Sequence, residues 1–362
     1  MVLFNPRSRG RRLPPDEAVD QFGMIKLLSL EIILLLQSSR FSLHRPALLL
    51  MATLVSLVVT PAISRAYPDR PIKFVVPFSG GSATDALARI LGEEMSKRLG
   101  QPVIVENMAG ANGVLAAQTV ARAAPDGHTV LISTNTTHAS NQSLMKNVPY
   151  DAVTSFEPVT KLGTISLALI TSRSIPAKNL VELISYAKSN PGKLTFGYGS
   201  GSSRIAGEML KSMAEIDVLP VPYKSNPQAI TDLLGGQISM VFADISTTLP
   251  QVKAGVANGL AVSTAKRSAL APDLPTIAEA GLSGYDLAAW FAAFVPAITP
   301  KPVIDKLHGV FVEALNDPST RERLLKAGIE PEVSTPEELK AFVVSEIRKW
   351  AEIVKAAGIH PE

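Results

Sequence analysis

Short apolar runs and apolar positions at helical spacing take turns along most of the chain. Ile72-Lys73-Phe74-Val75-Val76 is a short apolar run and predicts a strand. It ends in a glycine-rich turn, Pro77-Phe78-Ser79-Gly80-Gly81-Ser82. Leu87, Ile90, Leu91 and Met95 then recur at the spacing of an amphipathic helix. Val103 to Val105 reads as the next strand, Gly110 and Gly113 flank a turn, and an alanine-rich helix runs to about Ala124. Pro125-Asp126-Gly127 turns the chain into a strand over 129–133. Strands and helices in this order predict an α/β fold whose parallel sheet is covered on both faces.

The alternation then changes. Tyr150 to Val159 reads as irregular, Leu167 to Ile170 as a strand, and Leu180 to Lys188 as a helix. A strand over 194–198 ends in Gly199-Ser200-Gly201-Ser202-Ser203, and a helix follows. Strands over 218–223, 238–242 and 261–263, with a helix ending at Leu234, make a second unit of the same kind. Near the C-terminus, Thr335-Pro336-Glu337-Glu338 is a capping box with proline at the first helical position. Leu339, Phe342, Val343, Ile347, Trp350 and Val354 form one apolar face, and Gly358 is the stop. This helix is expected to pack back onto the first unit. No low-complexity linker separates the halves, which predicts more than one crossing. The expected lobes are 67–165 with 287–362, and 166–286.

Composition narrows the class. The chain has 362 residues, 46% of them hydrophobic and 19% charged, enough for a real core in about two domains. With no cysteine there is no disulfide framework and no thiolate chemistry. The formal charge of +3 is misleading: residues 1–66 hold eight basic and four acidic residues, which leaves 27 basic and 28 acidic in the remainder. A neutral body argues against nucleic-acid binding. The leader itself reads as a secretory signal. Arg40 and Arg45 precede an apolar stretch from Pro46 to Val59, and Ser64-Arg65-Ala66 supplies small residues at the cleavage positions. Cleavage is expected after Ala66. A second apolar run, Ile25 to Leu36, would fit an over-extended start.

The candidate chemistry lies in two segments of one design, Val76 through Asp85 and Tyr198 through Gly207: a strand, a Gly/Ser-rich turn, a helix. Such turns present the N–H groups of a helix N-terminus to anions, and ligands of open α/β sheets sit at the carboxyl ends of strands. The same pattern also fits ordinary strand-to-helix turns. Sharper motifs are missing. Gly199-x-Gly201 runs into Arg204 where a dinucleotide fingerprint needs glycine, no Walker A sequence occurs, and Ser203 is not in a nucleophile elbow. The five histidines show no zinc-binding spacing. Ser202, His138 and Asp85 could be grouped as a triad, but a chain of this size offers such a set by chance. His138 is either a hydrogen-bonded loop histidine or a cleft residue. Asp85 and Asp244 are either helix-start acids or partners for a ligand cation.

These segments, in this order, resemble the Bug family, the substrate-binding receptors of tripartite tricarboxylate transporters. The resemblance covers essentially all of 67–362. It is carried by Tyr67-Pro68-Asp69-Arg70-Pro71-Ile72, Pro77-Phe78 with Thr84-Asp85, Pro125-Asp126-Gly127 and Thr137-His138-Ala139. Further on come Val221-Pro222-Tyr223-Lys224, Asp232 to Gln237, Ala265-Lys266-Arg267-Ser268, Pro275 to Gly281, and Pro296-Ala297 with Thr299-Pro300.

The resemblance implies a two-lobed periplasmic-binding-protein fold of the type II kind, each lobe a βα sandwich with a mainly parallel sheet. It implies a monomeric periplasmic receptor, not an enzyme, that delivers a small carboxylate to membrane transporter subunits, without cofactor or metal. The ligand would be a di- or tricarboxylate, an acidic amino acid or an aromatic acid. The alternative is a receptor presenting the same kind of solute to a membrane sensor kinase. Carried over, the ligand residues are Ser79, Gly81, Ser82, Ala83 and Asp85; Asn135, Thr137, His138 and Asn141; and Ser200, Ser202, Ser203, Asn226 and Asp244. Arg204 stands where the family commonly has histidine and is a candidate partner for a second carboxylate. Ser82 replaces the second glycine of a usual pair, Gly80 a frequent proline, and Ser225 a preferred glycine, while the 199–204 loop is short.

Overall fold

In the computed structural model, which describes residues 67–361, β1 (Ile72–Val76) runs parallel to β2 (Val103–Asn107) on one side and β3 (Thr129–Thr134) on the other. The leader, with its expected cleavage after Ala66, lies outside the described residues. Strand period decides which side each residue of β1 faces. Ile72, Phe74 and Val76 join Leu87, Leu91 and Met95 of α1 (Ala83–Leu99) in one core cluster. Val75 joins Val114, Ala117 and Val120 of α2 (Val114–Ala121) in another. The parallel, doubly covered sheet expected here is therefore present.

The centre of the fold is different. β4 (Phe156–Ser172) is 17 residues long and begins within the segment that reads as irregular. Pro158 disguises it. Register shifts on either side of 160 bulge the strand, which is how a strand accommodates proline. Residues 156–166 of β4 pair antiparallel with β9 (Ala288–Pro296) in the sheet of β1. Residues 167–172 pair antiparallel with β7 (Met240–Asp244) and β8 (Ala257–Val262) in a second sheet. There β7 continues in parallel to β5 (Leu194–Tyr198), and β5 to β6 (Val218–Pro222). β9 is absent from the sequence reading: Ala-Ala-Trp-Phe-Ala-Ala-Phe-Val-Pro lacks alternation because it is buried on both faces between β3 and β4. The short β10 (Ile329–Glu330) also pairs with β4, and Gly163 lets it in. A Cβ there would lie 2.5 Å from the Glu330 carbonyl oxygen.

The remaining helices follow their strands. α3 (Asn141–Leu144) succeeds a π-helical turn over 136–140, and α4 (Leu180–Ser189) follows β4. α5 (Gly201–Ala214) follows β5, α6 (Asn226–Leu234) follows β6, and α7 (Ile245–Lys253) follows β7. α8 (Lys301–Asn316) covers the first sheet, with Phe311 stacked on Phe74 at a centroid distance of 5.6 Å. α9 (Pro318–Lys326) succeeds it. No helix among the described residues is long and apolar enough to cross a membrane.

The C-terminal helix α10 (Pro336–Ala356) starts at the expected capping box, and Gly358, at φ 67°, follows its end. It lies against β4, the 136–140 turn and α3. Its anchor is Glu346, a buried carboxylate that accepts hydrogen bonds from Trp350 Nε1 and Trp290 Nε1, both at 2.8 Å. Trp290 belongs to β9, so this one carboxylate ties the last helix to the central strand pair. Glu346→Ala strands two buried indole N–H groups, each at a cost of about 1–3 kcal/mol. A clear fall in thermal unfolding midpoint is expected for Glu346→Ala, with most of it recovered in Glu346→Gln. Equal midpoints for wild type and Glu346→Ala would contradict this role.

Candidate functional site

Four helices point their N-termini at one place. Each follows a strand whose carboxyl end stops there, as connections in parallel α/β units require. Ser82 caps α1 and accepts the Asp85 N–H at 3.2 Å; Ser200 caps α5 and accepts the Ser203 N–H at 3.2 Å. Ser225 stands at the cap of α6 and Asp244 at the cap of α7. Together with Thr134, Asn135 and Thr136 from the end of β3, they line one cleft. Phe78, Ala289 and Phe291 give it an apolar wall. A helix N-terminus carries roughly half a positive charge, so this arrangement attracts anions. No lysine, arginine or histidine lines the cleft among the described residues.

Two loops meet directly across this cleft. Asn135 Nδ2 donates to Ser202 Oγ at 3.0 Å, and the Gly201 N–H donates to Thr136 Oγ1 at 3.1 Å. The Asn135 Oδ1 also accepts the Trp290 N–H at 3.4 Å, which sets the amide's orientation from β9. Gly201 is needed for this approach, because a Cβ would fall against Ser140 Oγ and within 3.2 Å of Thr136 Cγ2 and Leu144 Cδ1. On the far side the Gly199 N–H donates to Asn226 Oδ1 at 2.8 Å, which braces the β5 loop on α6.

Of the residues singled out by sequence, Ser82, Asn135, Ser200, Ser202, Asn226 and Asp244 line the cleft. The others stand behind or beside it. Ser79 and Gly81 shape the turn: the Ser79 carbonyl accepts the Ser82 N–H at 3.2 Å, and the Gly81 N–H, at φ 80°, donates to Asp85 Oδ2 at 3.0 Å. Ala83 is buried in the core under β1. Asp85 is a bracing residue. Burial would raise its carboxyl, but hydrogen bonds from Arg89, the Gly81 N–H and Asn107 outweigh this and hold it below the usual carboxylate range. Thr137 donates to the Thr134 carbonyl at 3.1 Å, and Asn141 Nδ2 to the Asn112 carbonyl at 3.0 Å. Ser203 spends its hydroxyl on the Phe242 carbonyl. The Arg204 guanidinium lies over the Tyr198 ring at 5.6 Å, away from the cleft wall.

His138 is a core histidine. It is fully buried, stacked on Phe294 at 3.9 Å, with Nδ1 2.6 Å from Ser133 Oγ. Ser202, His138 and Asp85 are each bonded elsewhere and form no triad. Among the described residues no cluster of His, Cys, Asp or Glu is arranged to hold a metal.

Sequence reasoning missed Phe78, Thr84, Thr134, Thr136, Ser225, Ala289 and Phe291 as cleft residues. The first five adjoin residues it did name, so widening each loop by one position finds them. Ala289 and Phe291 carry no local signal, since only the β9 pairing brings them there.

Three solved structures share this fold. The chain matches the family described as tripartite tricarboxylate transporter family receptor over residues 87–359. It is similar to the periplasmic binding protein BugD, with 37% identity and a TM-score of 0.79 over 82% of this chain and all of that one. The Rpa4515 protein of R. palustris, solved with adipate, is 34% identical, with a TM-score of 0.80 over 82% of this chain and all of its own. MatC of Rhodopseudomonas palustris, solved with bound malate, is 33% identical, with a TM-score of 0.75 over 80% of this chain and all of its own. The fold is thus that of the periplasmic binding proteins.

Burial lowers the His138 imidazole to about 3, so it stays neutral in the native state at any ordinary pH. In the unfolded chain it titrates near 6.5. Below that pH the unfolded state gains a proton that the native state refuses, and this contribution to stability is lost as pH falls from 6.5 toward 3. The slope is at most about 1.4 kcal/mol per pH unit. Denaturant midpoints between pH 6.5 and 4 are expected to fall more steeply in wild type than in His138→Phe, which keeps the aromatic stack. Parallel pH profiles would contradict the assignment.

Proposed function

The chain belongs to the tripartite tricarboxylate transporter receptor family, whose members are periplasmic solute receptors and not enzymes, and from that premise we propose that it captures a small di- or tricarboxylate in the periplasm and delivers it to the membrane subunits of such a transporter. The observation that carries the ligand class is the convergence of four helix N-termini on a cleft without cationic side chains. Such a site holds carboxylates through backbone N–H groups and hydroxyls. The ligands of two similar receptors, adipate and malate, are both dicarboxylates.

Capture works by closure of two lobes, 67–165 with 287–362 on one side and 166–286 on the other. Two observations support that division. β4 passes from one sheet to the other between Ser166 and Leu167. The return crossing lies beside it, where the Leu287 N–H donates to the Ser263 carbonyl just before β9 begins. Two adjacent crossings make a hinge that bends without breaking either sheet. The Asn135–Ser202 and Thr136–Gly201 bonds then act as a latch on the closed form.

Calorimetry and thermal unfolding with straight-chain dicarboxylates of four to six carbons, citrate, and acidic amino acids test the ligand class. A ligand at 100 times its dissociation constant is expected to add about 2.7 kcal/mol to stability. If no carboxylate stabilises the protein, the proposed ligand class is wrong. Gly201→Ala tests the latch. It is expected to weaken binding roughly tenfold, about 1.4 kcal/mol, with the fold intact by circular dichroism. It is also expected to diminish ligand-induced compaction in solution scattering. Wild-type affinity and compaction in this variant would exclude the latch.

A further inference from the structure

Asp244 stands apart from every other residue of the cleft. It is the one ionisable side chain on the cleft wall among the described residues. It sits where β7 ends and α7 begins, and its backbone carbonyl is spent on the Thr247 and Thr248 hydroxyls at 2.8 and 3.2 Å. The residue lines the cleft, and its carboxyl accepts a hydrogen bond from its own backbone N–H.

The charged groups on the elements around it are engaged with other partners or lie elsewhere. On β4 its register partner is Leu167, and β5 presents Tyr198. On α5, Arg204 lies over the Tyr198 ring, and Lys211 pairs with Glu208. On α6, Asp232 accepts the Tyr223 hydroxyl at 2.7 Å. On α7 the basic residue is Lys253, in the last turn. Across the cleft, Asp85 is held by Arg89, and His138 is buried against Phe294. Burial without a cation pushes the Asp244 carboxyl up to about 7.

We propose that Asp244 sets the specificity of the cleft, selecting carboxylates that carry a hydrogen-bond donor, a hydroxyl or an ammonium, beside the bound carboxylate, and disfavouring those that offer only bare carboxylates. The inference rests on the carboxylate reading above. Its logic is competition for one field. The helix N-termini stabilise negative charge, and an ionised Asp244 already takes part of that stabilisation. A second bare carboxylate brought against it meets like charge in a site largely screened from water. A hydroxyl or ammonium there completes a charge-assisted hydrogen bond instead. The hydroxyls and amides of Ser82, Asn135, Ser200, Ser202 and Asn226 remain for the ligand's carboxylate.

Matched ligand sets test this at pH 8, where the carboxyl is ionised: succinate, malate and aspartate; glutarate, 2-hydroxyglutarate and glutamate; adipate and 2-aminoadipate. Calorimetry is run on the mature protein, on Asp244→Ala and on Asp244→Asn, with circular dichroism to confirm folding. At the chain length that binds best, a donor-bearing member is expected to bind wild type about tenfold or more tighter than its bare counterpart. The hydroxy and amino arms tell which donor is read. In Asp244→Ala the preference is expected to shrink to within about threefold, with the bare acid binding at least as tightly as to wild type. Should Asp244→Ala fail to fold, Asp244→Asn keeps the shape without the charge, and the ammonium preference is expected to collapse there. Equal binding of bare and donor-bearing acids to wild type overturns the proposal, as does a preference that survives both substitutions. If no acid of any set binds, the carboxylate reading falls, and this one with it.

Discussion

A single strand has to belong to two sheets. The 17 residues of β4 hold β9 and β10 along the first part and β7 and β8 along the second, so every other element is placed relative to this strand. The demands on it are local and visible. It is bulged around Pro158 and 161–163, it needs Gly163 where β10 crosses close, and its residues 167–172 are buried. Unpaired backbone groups in its interior would be costly. The strand therefore passes between the sheets while keeping hydrogen-bonded neighbours on each side. β9 returns along it, and Glu346 of the last helix is clamped to β9 through Trp290.

That framework explains why a site without charged donors still suits anions. Strands ending on one side send helices away from it, and each helix leaves its first N–H groups facing the gap. The capping serines and the Thr134–Thr136 segment add hydroxyls and amides. Charged groups that sequence spacing brings near are turned to structural work. Asp85 ties Gly81, Arg89 and Asn107 together beneath the first loop, and Arg204 covers Tyr198. A fixed cation in the gap would hold an anion more tightly, but it would also have to be desolvated there. Backbone dipoles carry a smaller penalty.

Much of this was legible from residues alone. The terminal strand–helix units, the capping box at Thr335, the stop at Gly358 and the two Gly/Ser turns announce themselves because each depends on neighbours within a few positions. Residue periodicity and cap chemistry are local, and local physics survives folding. Ser82 and Ser200, at the helix starts of those two turns, line the same cleft.

What sequence could not separate was facing from bracing. Ser82 and Asp85 lie three residues apart in one loop, and His138 lies three beyond Asn135, yet one of each pair lines the cleft while the other supports it from behind. β9 was invisible because a strand buried on both faces loses its alternation, and with it went Ala289 and Phe291. The chain's own order determined which helices begin with anion-attracting turns. Which of those turns meet, and that Asp244 is the one acid lining their cleft among the described residues, was decided only when β4 and β9 brought the two sheets together, because side-chain direction at a loop is set by long-range packing and not by the loop's own residues.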